Sequence, residues 1–402
     1  MLDLRDGRRV LIAGTVRTPI GAFGGALRPL SAVDLGKHAV TWAMKRAGVA
    51  PAAVDEVIMG HARQAGCGPN PARQVSVGSG IPVTTPAFTV NQACASGMKS
   101  IILAAQSIAL GVADVVVAGG MESMSNTPYL LPTARWGTRL GHAKLLDGQF
   151  QDGFMCPLCG DLMGLTAERL AERYEISRTE QDEYAARSQQ RAQAARGAGA
   201  FDAEIVPLEV SSKGDTIIMA RDEHPRDDVT SESLARLKPV FKKGGTVHSG
   251  NSSGVTDGAA ALVLISGEAA DKHGVEPEGR LLGATQAGVD PAVMGIGPVP
   301  AVRELLEKTG MSLTDIDRVE LNEAFAAQVL AVDRDLGFDQ ARLNSDGGAI
   351  SLGHPIGCTG SRIVVTLLHA LRRRDERRGL ATLCVSGGMG TSLLVERLGV
   401  PA

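Results

Sequence analysis

The chain has 402 residues, enough for two or three domains, and with aromatic residues at 3% and 49 glycines its core must be built from small aliphatic side chains. Its 41 basic and 44 acidic residues nearly balance, which excludes the basic footprint of a nucleic-acid-binding protein. No stretch has the length and apolarity of a membrane span, and residues 1–9 lack the apolar segment of a secretory signal, so we expect a cytoplasmic protein that binds no membrane.

The first reactive candidate is Cys94, which follows a short apolar run and precedes a longer one. Residues 87–90 predict the buried end of a strand, and residues 100–110 predict a helix with almost no polar face. Cys94 then lies near the N-terminus of that helix, where free backbone N–H groups and the positive end of the helix dipole favour a thiolate. An unpaired cysteine is also a common buried apolar residue, so this segment alone leaves a structural thiol open.

The middle of the chain, residues 121–250, is more polar than its surroundings and contains one clear helix. The run 179–195 predicts that helix, with Ser177 as its N-cap and Glu180 completing a capping box. We interpret this segment as a loop domain inserted into a larger α/β fold.

Six cysteines in a chain without a signal peptide are expected to be reduced thiols. Cys156 and Cys159 form a C-x-x-C pair, which is also found in redox and metal sites. No second pair supplies zinc ligands and the flanking residues predict a loop, so the sequence disfavours both roles. Cys67 and Cys358 are expected to be structural.

A strand end near residue 320 and another near residue 385 carry polar or thiol side chains. Residues 319–328 predict a strand that delivers Asn322 and Glu323 to a helix start, where either residue is also a candidate helix cap. Residues 383–391 predict a strand followed by a glycine turn, with Cys384 at the end of the strand.

Five glycines surround a single histidine, His354, within residues 344–360. Glycine at this density lets the backbone turn sharply and approach a ligand closely. The turn precedes a helix predicted for residues 361–372, so the imidazole is displayed rather than packed. His354 is therefore a candidate base.

Two short matches relate the first half of the chain to the second. Residues 54–60 resemble residues 316–322, 262 positions on, and residues 113–121 resemble residues 381–389, 268 positions on. A strand, a turn and an apolar helix lie between the matched segments of each half. Two matches in the same order at nearly equal offsets predict a duplicated architecture, with its reactive residues facing each other across a pseudo-twofold axis.

Together these segments resemble the catalytic segments of the thiolase family, in that family's order and spacing. Beside the Cys94 segment they are N-E-A-F-A at 322–326, G-H-P-I-G at 353–357 and C-V-S-G-G-M-G at 384–390. The resemblance extends from about Val16 to Leu398. It implies an α/β protein with the thiolase fold, a duplicated five-layered α/β/α/β/α core with an inserted loop domain.

The resemblance and the repeat predict three parts. Residues 1–120 with 251–273 form an N-terminal half that carries Cys94, and residues 121–250 form the inserted loop domain, expected to bind coenzyme A and make oligomer contacts. Residues 274–402 form a C-terminal half that carries Asn322, His354 and Cys384.

Thiolases condense two acyl-CoA molecules, or cleave a 3-oxoacyl-CoA with coenzyme A, through an acyl-cysteine intermediate. By the resemblance Cys94 is the acylated nucleophile, His354 takes its proton and Cys384 is the second acid or base. The family stabilises the enolate oxygen with the histidine and a water held by Asn322, and the tetrahedral intermediate with the backbone N–H groups of Cys94 and Ser386. No metal and no cofactor is implied, since coenzyme A is a substrate and a product.

The acyl pocket and its oxyanion hole show two departures from the short-chain biosynthetic thiolases. Ser386 stands where those enzymes have glycine; serine resists a positive φ, so either its backbone is ordinary or the hole is shifted. Met163 and Met294 match methionines that crowd the acyl pocket, which favours acetyl or acetoacetyl units. Leu162 occupies a position where those enzymes often carry histidine, and this weakens the assignment.

The resemblance also implies coenzyme A contacts, at Arg226, Ser233, Phe241, Ser253, Ala324 and Phe325. Arg226 resembles a basic residue near the adenine and phosphates, although a solvated surface charge stays open for it. Ser253 resembles a serine that touches the pantetheine. The implied partners are acyl-CoA, coenzyme A and further copies of the chain, as a homodimer or homotetramer.

Three alternatives remain. A medium- or long-chain degradative 3-ketoacyl-CoA thiolase shares all of these residues. A 3-oxoacyl-carrier-protein synthase shares the duplicated fold but pairs its cysteine with two histidines or with histidine and asparagine, which Cys384 and the N-E-A-F motif oppose. A non-catalytic lipid-binding relative should have lost one of the four reactive residues, and all four are present.

Overall fold

Strands and helices alternate along most of the chain in the computed structural model, which describes residues 2–5, 7–212 and 215–399. The strands are β1 Leu2–Asp3, β2 Val10–Arg17, β3 Gly21–Ala22, β4 Glu56–Gly60, β5 Ala87–Val90, β6 Val115–Ser123, β7 Tyr129–Leu130, β8 Leu146–Asp147, β9 Met155–Cys156, β10 Asp161–Leu162, β11 Leu208–Ser212, β12 Asp215–Met219, β13 Thr256–Ser266, β14 Gly279–Gly288, β15 Arg318–Leu321, β16 Arg378–Val385 and β17 Met389–Arg397. The helices are α1 Ala32–Ala47, α2 Pro71–Gly78, α3 Ser96–Ala109, α4 Met163–Arg173, α5 Arg178–Gly197, α6 Ser231–Ala235, α7 Gly267–His273, α8 Pro298–Thr309, α9 Ala326–Leu336, α10 Ala349–Leu352 and α11 Ile356–Arg374. Within the described ranges no helix is both long and apolar enough to cross a membrane.

One mixed sheet forms the frame, in the order β15-β16-β17-β14-β2-β13-β6-β4-β5, with β1 and β3 at its margins. The order is symmetric about its middle: outward from β2 lie β13, β6 and β4, and outward from β14 lie β17, β16 and β15. A short antiparallel pairing of β2 with β14, Ile12 opposite Gly279 and Leu11 opposite Arg280, joins the halves. The two sheets of the duplicated fold are thus hydrogen-bonded into one.

The helices form three layers: α3 and α11 lie between the two halves of the sheet, and other helices cover the outer face of each half. Strand β13 illustrates the central layer and the outer layer of the first half. Ala260, Leu262 and Leu264 pack into the cluster that contains α3 and α11, whereas the intervening Ala261 and Val263 pack into the cluster that contains α1 and α7. A strand buried on both faces has this alternation with apolar residues on each side. With α8 and α9 covering the outer face of the second half, the predicted five-layered α/β/α/β/α architecture is confirmed.

The strand pairing corrects the register of the internal repeat. Glu56 of β4 pairs with Val116 of β6, and its counterpart Arg318 of β15 pairs with Gly379 of β16. Val116 therefore corresponds to a residue 263 positions on. The predicted match of residues 113–121 with 381–389, at 268 positions, is five positions out of register.

A Gly-Gly pair in each half suggested this match, but each half requires its glycines for a different steric reason. A Cβ on Gly119 or Gly120 would lie 2.3 or 2.1 Å from a carbonyl oxygen of a neighbouring segment, so no side chain fits in β6 there. Gly387 and Gly388 instead have φ angles of 88° and 84° and make the turn from β16 to β17. The shared letters arise from two separate steric requirements.

The chain between β6 and β13 contains β7 to β12 and α4 to α6. β6 continues to Ser123, three residues into the predicted insertion, whereas β13 begins at Thr256, six residues after its predicted end. Helix α5 begins at Arg178, with Ser177 as its N-cap and Glu180 completing the capping box, as predicted. Helices α4 and α5 both pack against α9, so the insertion lies on the second half of the core.

Candidate active site

Cys94 lies in the turn that connects β5 to α3. Strand β5 spans the predicted residues, but it forms the end of the sheet and is half-buried rather than buried. Ala93 has a φ of 45°, a left-handed conformation that residues with side chains rarely adopt. The hydroxyl of Ser96 accepts the Gln92 N–H at 2.9 Å and donates to the Ala93 carbonyl at 2.7 Å, which holds the strained turn in place.

A cavity of about 120 Å³ opens beside Cys94, at the junction of the two halves and the insertion. Its walls include Ala62, Arg63, Asn91, Phe154, Met163, Ser253, Met294, Ala324, Phe325, His354 and Ser386. An apolar cavity of about 150 Å³ holds a molecule of the size of benzene, so this volume suits a short acyl chain. Across the described residues, no three histidine, cysteine or acidic side chains are grouped to hold a metal ion.

Burial decides the pKa of the Cys94 thiol. Desolvation raises this pKa above its ordinary value, although the backbone N–H of Ser386, the Arg63 guanidinium and the Cys94 N–H lower it. The N–H groups at the helix start favour the thiolate, as expected, but burial outweighs them in the protein at rest. The N–H groups of Cys94 and Ser386 both lie within hydrogen-bonding reach of the sulfur.

The backbone of Ser386 is ordinary. The positive φ angles of this turn fall on Gly387 and Gly388, so the serine N–H is presented without strain. The sequence left two possibilities open, an ordinary Ser386 backbone or a shifted oxyanion hole, and the structure has the ordinary backbone. The serine causes no displacement of the N–H pair that faces Cys94.

His354 lies directly before α11, which begins at Ile356 rather than at the predicted residue 361. Its Nδ1 lies 2.6 Å from the Thr359 hydroxyl, which donates its own hydrogen to the Pro355 carbonyl at 3.0 Å. Because a hydroxyl carries one hydrogen, Nδ1 must donate, and the lone pair is on Nε2. Thr359 thus fixes the tautomer, a role that the sequence did not reveal.

The His354 ring is neutral. Burial, with the Arg362 and Arg63 guanidinium groups nearby, lowers its pKa to about 3. A neutral imidazole with Nε2 free is able to accept a proton. The resting pair is accordingly a thiol and an imidazole, not a thiolate and an imidazolium.

Asn322 and Glu323 follow β15, and neither caps a helix, because the N-cap of α9 is Phe325. The Asn322 side chain is fully buried, with Nδ2 3.5 Å from Nε2 of His354. Its Oδ1 has no hydrogen-bond partner among the described residues. Buried amide oxygens are nearly always paired, so this atom marks a position for a polar guest.

Glu323 connects the segment that follows β15 to the insertion through hydrogen bonds. Its carboxylate accepts hydrogen bonds from Tyr184 Oη at 2.8 Å and Ser188 Oγ at 2.7 Å, both on α5, and from the Ile350 N–H at 3.1 Å. The available sequence signal was an acidic residue directly after Asn322. Its role is to position Asn322 between α5 and α10.

Cys384 is fully buried at the end of β16, in an apolar cluster with Met163, Met294 and Phe325. Burial, reinforced by the neighbouring Cys94, raises the pKa of its thiol well above the ordinary value. The side chain does not belong to the cavity wall itself. The two sulfurs are nevertheless close enough to interact electrostatically.

Family models match nearly the whole chain: the thiolase N-terminal domain over residues 10–268 and the thiolase C-terminal domain over residues 275–397. The chain belongs to the thiolase family. An acetyl-CoA acetyltransferase of Escherichia coli K12 is 51% identical over 97% of this chain and 100% of its own length. Among solved structures, the acetyl-CoA acetyltransferase of Bacillus anthracis has a TM-score of 0.96 at 48% identity, covering 98% of this chain and 99% of that one. Human mitochondrial 3-ketoacyl-CoA thiolase in complex with CoA has a TM-score of 0.94 at 44% identity, covering 98% of each chain.

Four of the predicted coenzyme A contacts of this thiolase lie at the cavity. Ser253, Ala324 and Phe325 line it, and Phe241 packs edge-to-face on Phe325 with ring centroids 6.2 Å apart. Ala324 and Phe325 give this part of the cavity wall an apolar surface, and Phe241 lies against Phe325 outside the lining.

The remaining two lie in the insertion and do not line the cavity. The backbone N–H of Arg226 donates to the Gln189 side chain at 3.0 Å. Ser233 is exposed at the start of α6, where its hydroxyl donates to the Thr230 carbonyl at 2.8 Å.

Glu122 is a further residue of this site that the sequence did not reveal. Its buried carboxylate accepts the N–H groups of Gly357 at 2.8 Å, Arg63 at 3.1 Å and Ala62 at 3.2 Å. Gly357 is in the first turn of α11, so Glu122 ties the His354 turn to the cavity wall of the first half. The only sequence signal was an acidic residue directly after Gly-Gly-Met.

Proposed function

We propose that this chain transfers acyl groups between coenzyme A thioesters through an acyl-cysteine at Cys94, with acetyl and acetoacetyl units preferred. The observation that carries the proposal is the cavity at which a thiol, two backbone N–H donors and a neutral imidazole with a free Nε2 meet. The 51% identity to an acetyl-CoA acetyltransferase over its full length agrees with it.

In the first step the Cys94 sulfur attacks the thioester carbonyl while Nε2 of His354 takes the thiol proton. Both groups are neutral at rest, so charge develops only as the bond forms. The N–H groups of Cys94 and Ser386 then stabilise the oxyanion. When the carbon–sulfur bond to coenzyme A breaks, the imidazolium returns the proton to the leaving thiolate, and an acyl-Cys94 remains.

In the second step of synthesis the proton of the Cys384 thiol first passes to Nε2 of His354, and the resulting thiolate takes an α-proton from the incoming acetyl-CoA; in cleavage the thiol returns that proton to the enolate. Burial destabilises the Cys384 thiolate, which makes it a stronger base than an exposed one. The enolate oxygen is stabilised by the Nε2–H that His354 then carries and by a water on the unpaired Oδ1 of Asn322.

The short-chain preference rests on the volume of the cavity and on Met163 and Met294 in its wall. Thiolysis of acetoacetyl-CoA and of a medium-chain 3-oxoacyl-CoA, each with coenzyme A, tests it. We expect kcat/KM to be at least about tenfold higher for acetoacetyl-CoA, since each misfitting methylene costs roughly 1–3 kcal/mol. Met294→Ala should narrow the gap by enlarging the pocket. Equal or faster cleavage of the longer substrate would assign the chain to the degradative 3-ketoacyl-CoA thiolases instead.

Coenzyme A is proposed to run from Ser253, Ala324 and Phe325 at the cavity, past Phe241, toward Arg226 and Ser233 on the insertion. Arg226→Ala should then raise KM for coenzyme A with little change in kcat, because the lost contact is made equally in the ground and transition states. An unchanged KM would leave Arg226 as a surface charge.

The chain is also proposed to form a homodimer or homotetramer. The outer edge of β5 pairs with no described strand, and near it Phe88 and Val83 are 38% and 70% exposed. Farther along, Trp136 and Leu140 are 88% and 95% exposed, which offers a second apolar surface. Sedimentation at micromolar concentration should give two or four times 41.8 kDa, and a monomer would contradict the proposal.

A further inference from the structure

Arg63 is a buried cation in the wall of the cavity beside Cys94. Only 6% of this residue is exposed. Its Nη1 donates to the Asp152 carbonyl at 3.0 Å, and a Cβ on Gly153 would overlap its Nη2, so the guanidinium lies against this stretch of backbone. Asp152 and Gly153 line the same cavity. The guanidinium therefore belongs to the part of the wall that the insertion supplies.

No carboxylate of the protein neutralises this guanidinium. Among the described residues it has no ion-pair partner, and its Nε lacks a hydrogen-bond partner as well. Asp152 contributes only its carbonyl, since its side chain is exposed. A buried charge is costly unless it is paired and fully hydrogen-bonded, so Arg63 is a site for an anion that the protein itself does not provide.

The buried carboxylate of Glu122 faces a different cation. Nε2 of His61 lies 3.1 Å from its Oε1. Burial alone would lower the pKa of His61, but contacts with Cys67 and Glu122 raise it to about 9, so the ring is protonated at neutral pH. The imidazolium and the carboxylate offset each other. The positive charge of Arg63 therefore has no counter-charge in the cavity wall.

An acyl chain on Cys94 would share its cavity with this charge. Apolar side chains such as Met163, Met294 and Phe325 line much of the cavity, and Arg63 lies in the same wall. The planar guanidinium matches a carboxylate through two parallel hydrogen bonds, and the unpaired Nε–H is available as one of the donors. Few polar groups in an apolar pocket usually fix the orientation of the ligand and its specificity.

We propose that the cavity accepts short acyl groups that end in a carboxylate, which Arg63 binds, in addition to acetyl and acetoacetyl units. This inference rests on the proposed thiolase activity and extends its substrate class. The cavity volume of about 120 Å³ keeps such a chain short, and a succinyl group is the length to test.

The corresponding cleavage starts from 3-oxoadipyl-CoA. The Cys94 sulfur attacks the 3-oxo carbon, the bond between C2 and C3 breaks, and C2 takes a proton as acetyl-CoA leaves. The succinyl group on Cys94 then passes to the sulfur of coenzyme A and forms succinyl-CoA. Arg63 holds the far carboxylate during both transfers and exchanges no proton with it.

The test compares thiolysis of 3-oxoadipyl-CoA with that of 6-methyl-3-oxoheptanoyl-CoA, in which an isopropyl group of the same shape replaces the carboxylate. Acetoacetyl-CoA is the reference for the activity itself. Arg63→Met removes the charge and keeps an unbranched side chain, whereas Arg63→Lys keeps the charge and loses the bidentate geometry. Arg372→Met, at an exposed arginine near the end of α11, is the matched control.

In the parent we expect kcat/KM to be about tenfold or more higher for 3-oxoadipyl-CoA than for the uncharged counterpart. Arg63→Met should lower this ratio by about 10–10²-fold, the range for hydrogen bonds to charged groups. Arg63→Lys should restore part of the ratio, and Arg372→Met should match the parent. A general loss of active enzyme leaves the ratio unchanged, because both substrates are measured on one preparation.

The proposal is overturned if the parent cleaves the two longer substrates equally, or cleaves neither of them while it cleaves acetoacetyl-CoA. An unchanged ratio in Arg63→Met overturns it as well. Absence of acetoacetyl-CoA thiolysis contradicts the proposed function instead. Calorimetry of Cys94→Ala with succinyl-CoA and with 4-methylpentanoyl-CoA then still compares the two end groups, since binding needs no acyl transfer. Tighter binding of succinyl-CoA supports the carboxylate site, and equal binding removes it.

Discussion

Cys94 and His354 occupy corresponding places in the two halves of the molecule, each just before one of the two central helices, α3 and α11. Each is preceded by a residue with positive φ, Ala93 at 45° and Gly353 at 103°. The backbone solution is similar, yet burial moves the two pKa values in opposite directions, up for the thiol and down to about 3 for the imidazole.

The difference follows from the charge each group would acquire. Desolvation always opposes the charged form, which is the anion of cysteine and the cation of histidine. The positive end of a helix opposes desolvation at a thiolate and adds to it at an imidazolium. A duplicated backbone can therefore hold an acid and a base that are both neutral at rest, merely by exchanging one side chain.

Removing the Cys94 sulfur, at the start of α3, should have the largest effect on activity. Cys94→Ala is expected to abolish both label exchange between acetyl-CoA and coenzyme A and acetoacetyl-CoA thiolysis, a loss of about 10⁴-fold or more. Mass spectrometry of quenched parent enzyme should find the acetyl group on Cys94 alone. Cys358→Ala, at another buried thiol, is the control and should retain its activity; acetylation of Cys384 or Cys358 would contradict the assignment.

Cys384 separates the two chemical steps. In Cys384→Ser the exchange reaction should remain measurable, because Cys94 and His354 are intact, whereas thiolysis should fall by roughly 10²–10⁴-fold. The two rates are measured side by side on one preparation. A parallel fall of both to background would show that Cys384 supports acylation or the fold, and no fall in either would make it a structural thiol.

The low pKa of His354 predicts an acid-sensitive fold. Between its ordinary value of 6.5 and about 3, the unfolded chain binds a proton at this residue that the folded chain does not, so stability rises with pH and is lost as pH falls through this window. At pH 5 the loss is about 2 kcal/mol, from roughly 1.5 pH units at 1.36 kcal/mol each. Urea unfolding at pH 7 and pH 5 measures it.

Between pH 7 and pH 5 the free energy of unfolding of His354→Asn should fall by about 2 kcal/mol less than that of the parent. The exposed His273→Asn is the matched control and should behave like the parent. Equal pH dependence in all three proteins would mean that His354 charges in the folded state.

Thr359 should have the smallest of these effects. Thr359→Val removes the acceptor of Nδ1–H, so the imidazole no longer has a fixed tautomer, and kcat should fall by about tenfold, in line with one lost hydrogen bond. Thr359→Ser should restore the rate. The ¹⁵N chemical shifts of His354 report the tautomer directly, and an unchanged tautomer in the valine variant would remove Thr359 from this role.

Local signals predicted the parts of this molecule that depend on neighbouring residues. The capping box of Ser177 and Glu180 is one example, and the position of Cys94 before α3 is another. The start of α11 was placed five residues too late, because Gly357 and Gly360 have low helix propensity and only tertiary packing makes them helical.

The properties of the site depended on contacts that no local pattern contains. The pKa of Cys94 is set by burial and by Ser386 and Arg63, which are far from it in sequence. The tautomer of His354 depends on the Thr359 hydroxyl, which donates its single hydrogen to the Pro355 carbonyl. Such quantities follow from the assembled fold.

The position of the insertion determines how long β6 stays without its neighbour β13 during synthesis. β6 pairs with β13 from Ser123 opposite Asp257 onward, although more than 130 residues separate the two strands in the chain. At about 5–20 residues per second, translation of that stretch takes on the order of ten seconds. Throughout this time one apolar edge of the nascent first half has no partner, and such edges recruit other chains. The architecture therefore leaves this edge of the emerging polypeptide open to other chains until β13 leaves the ribosome.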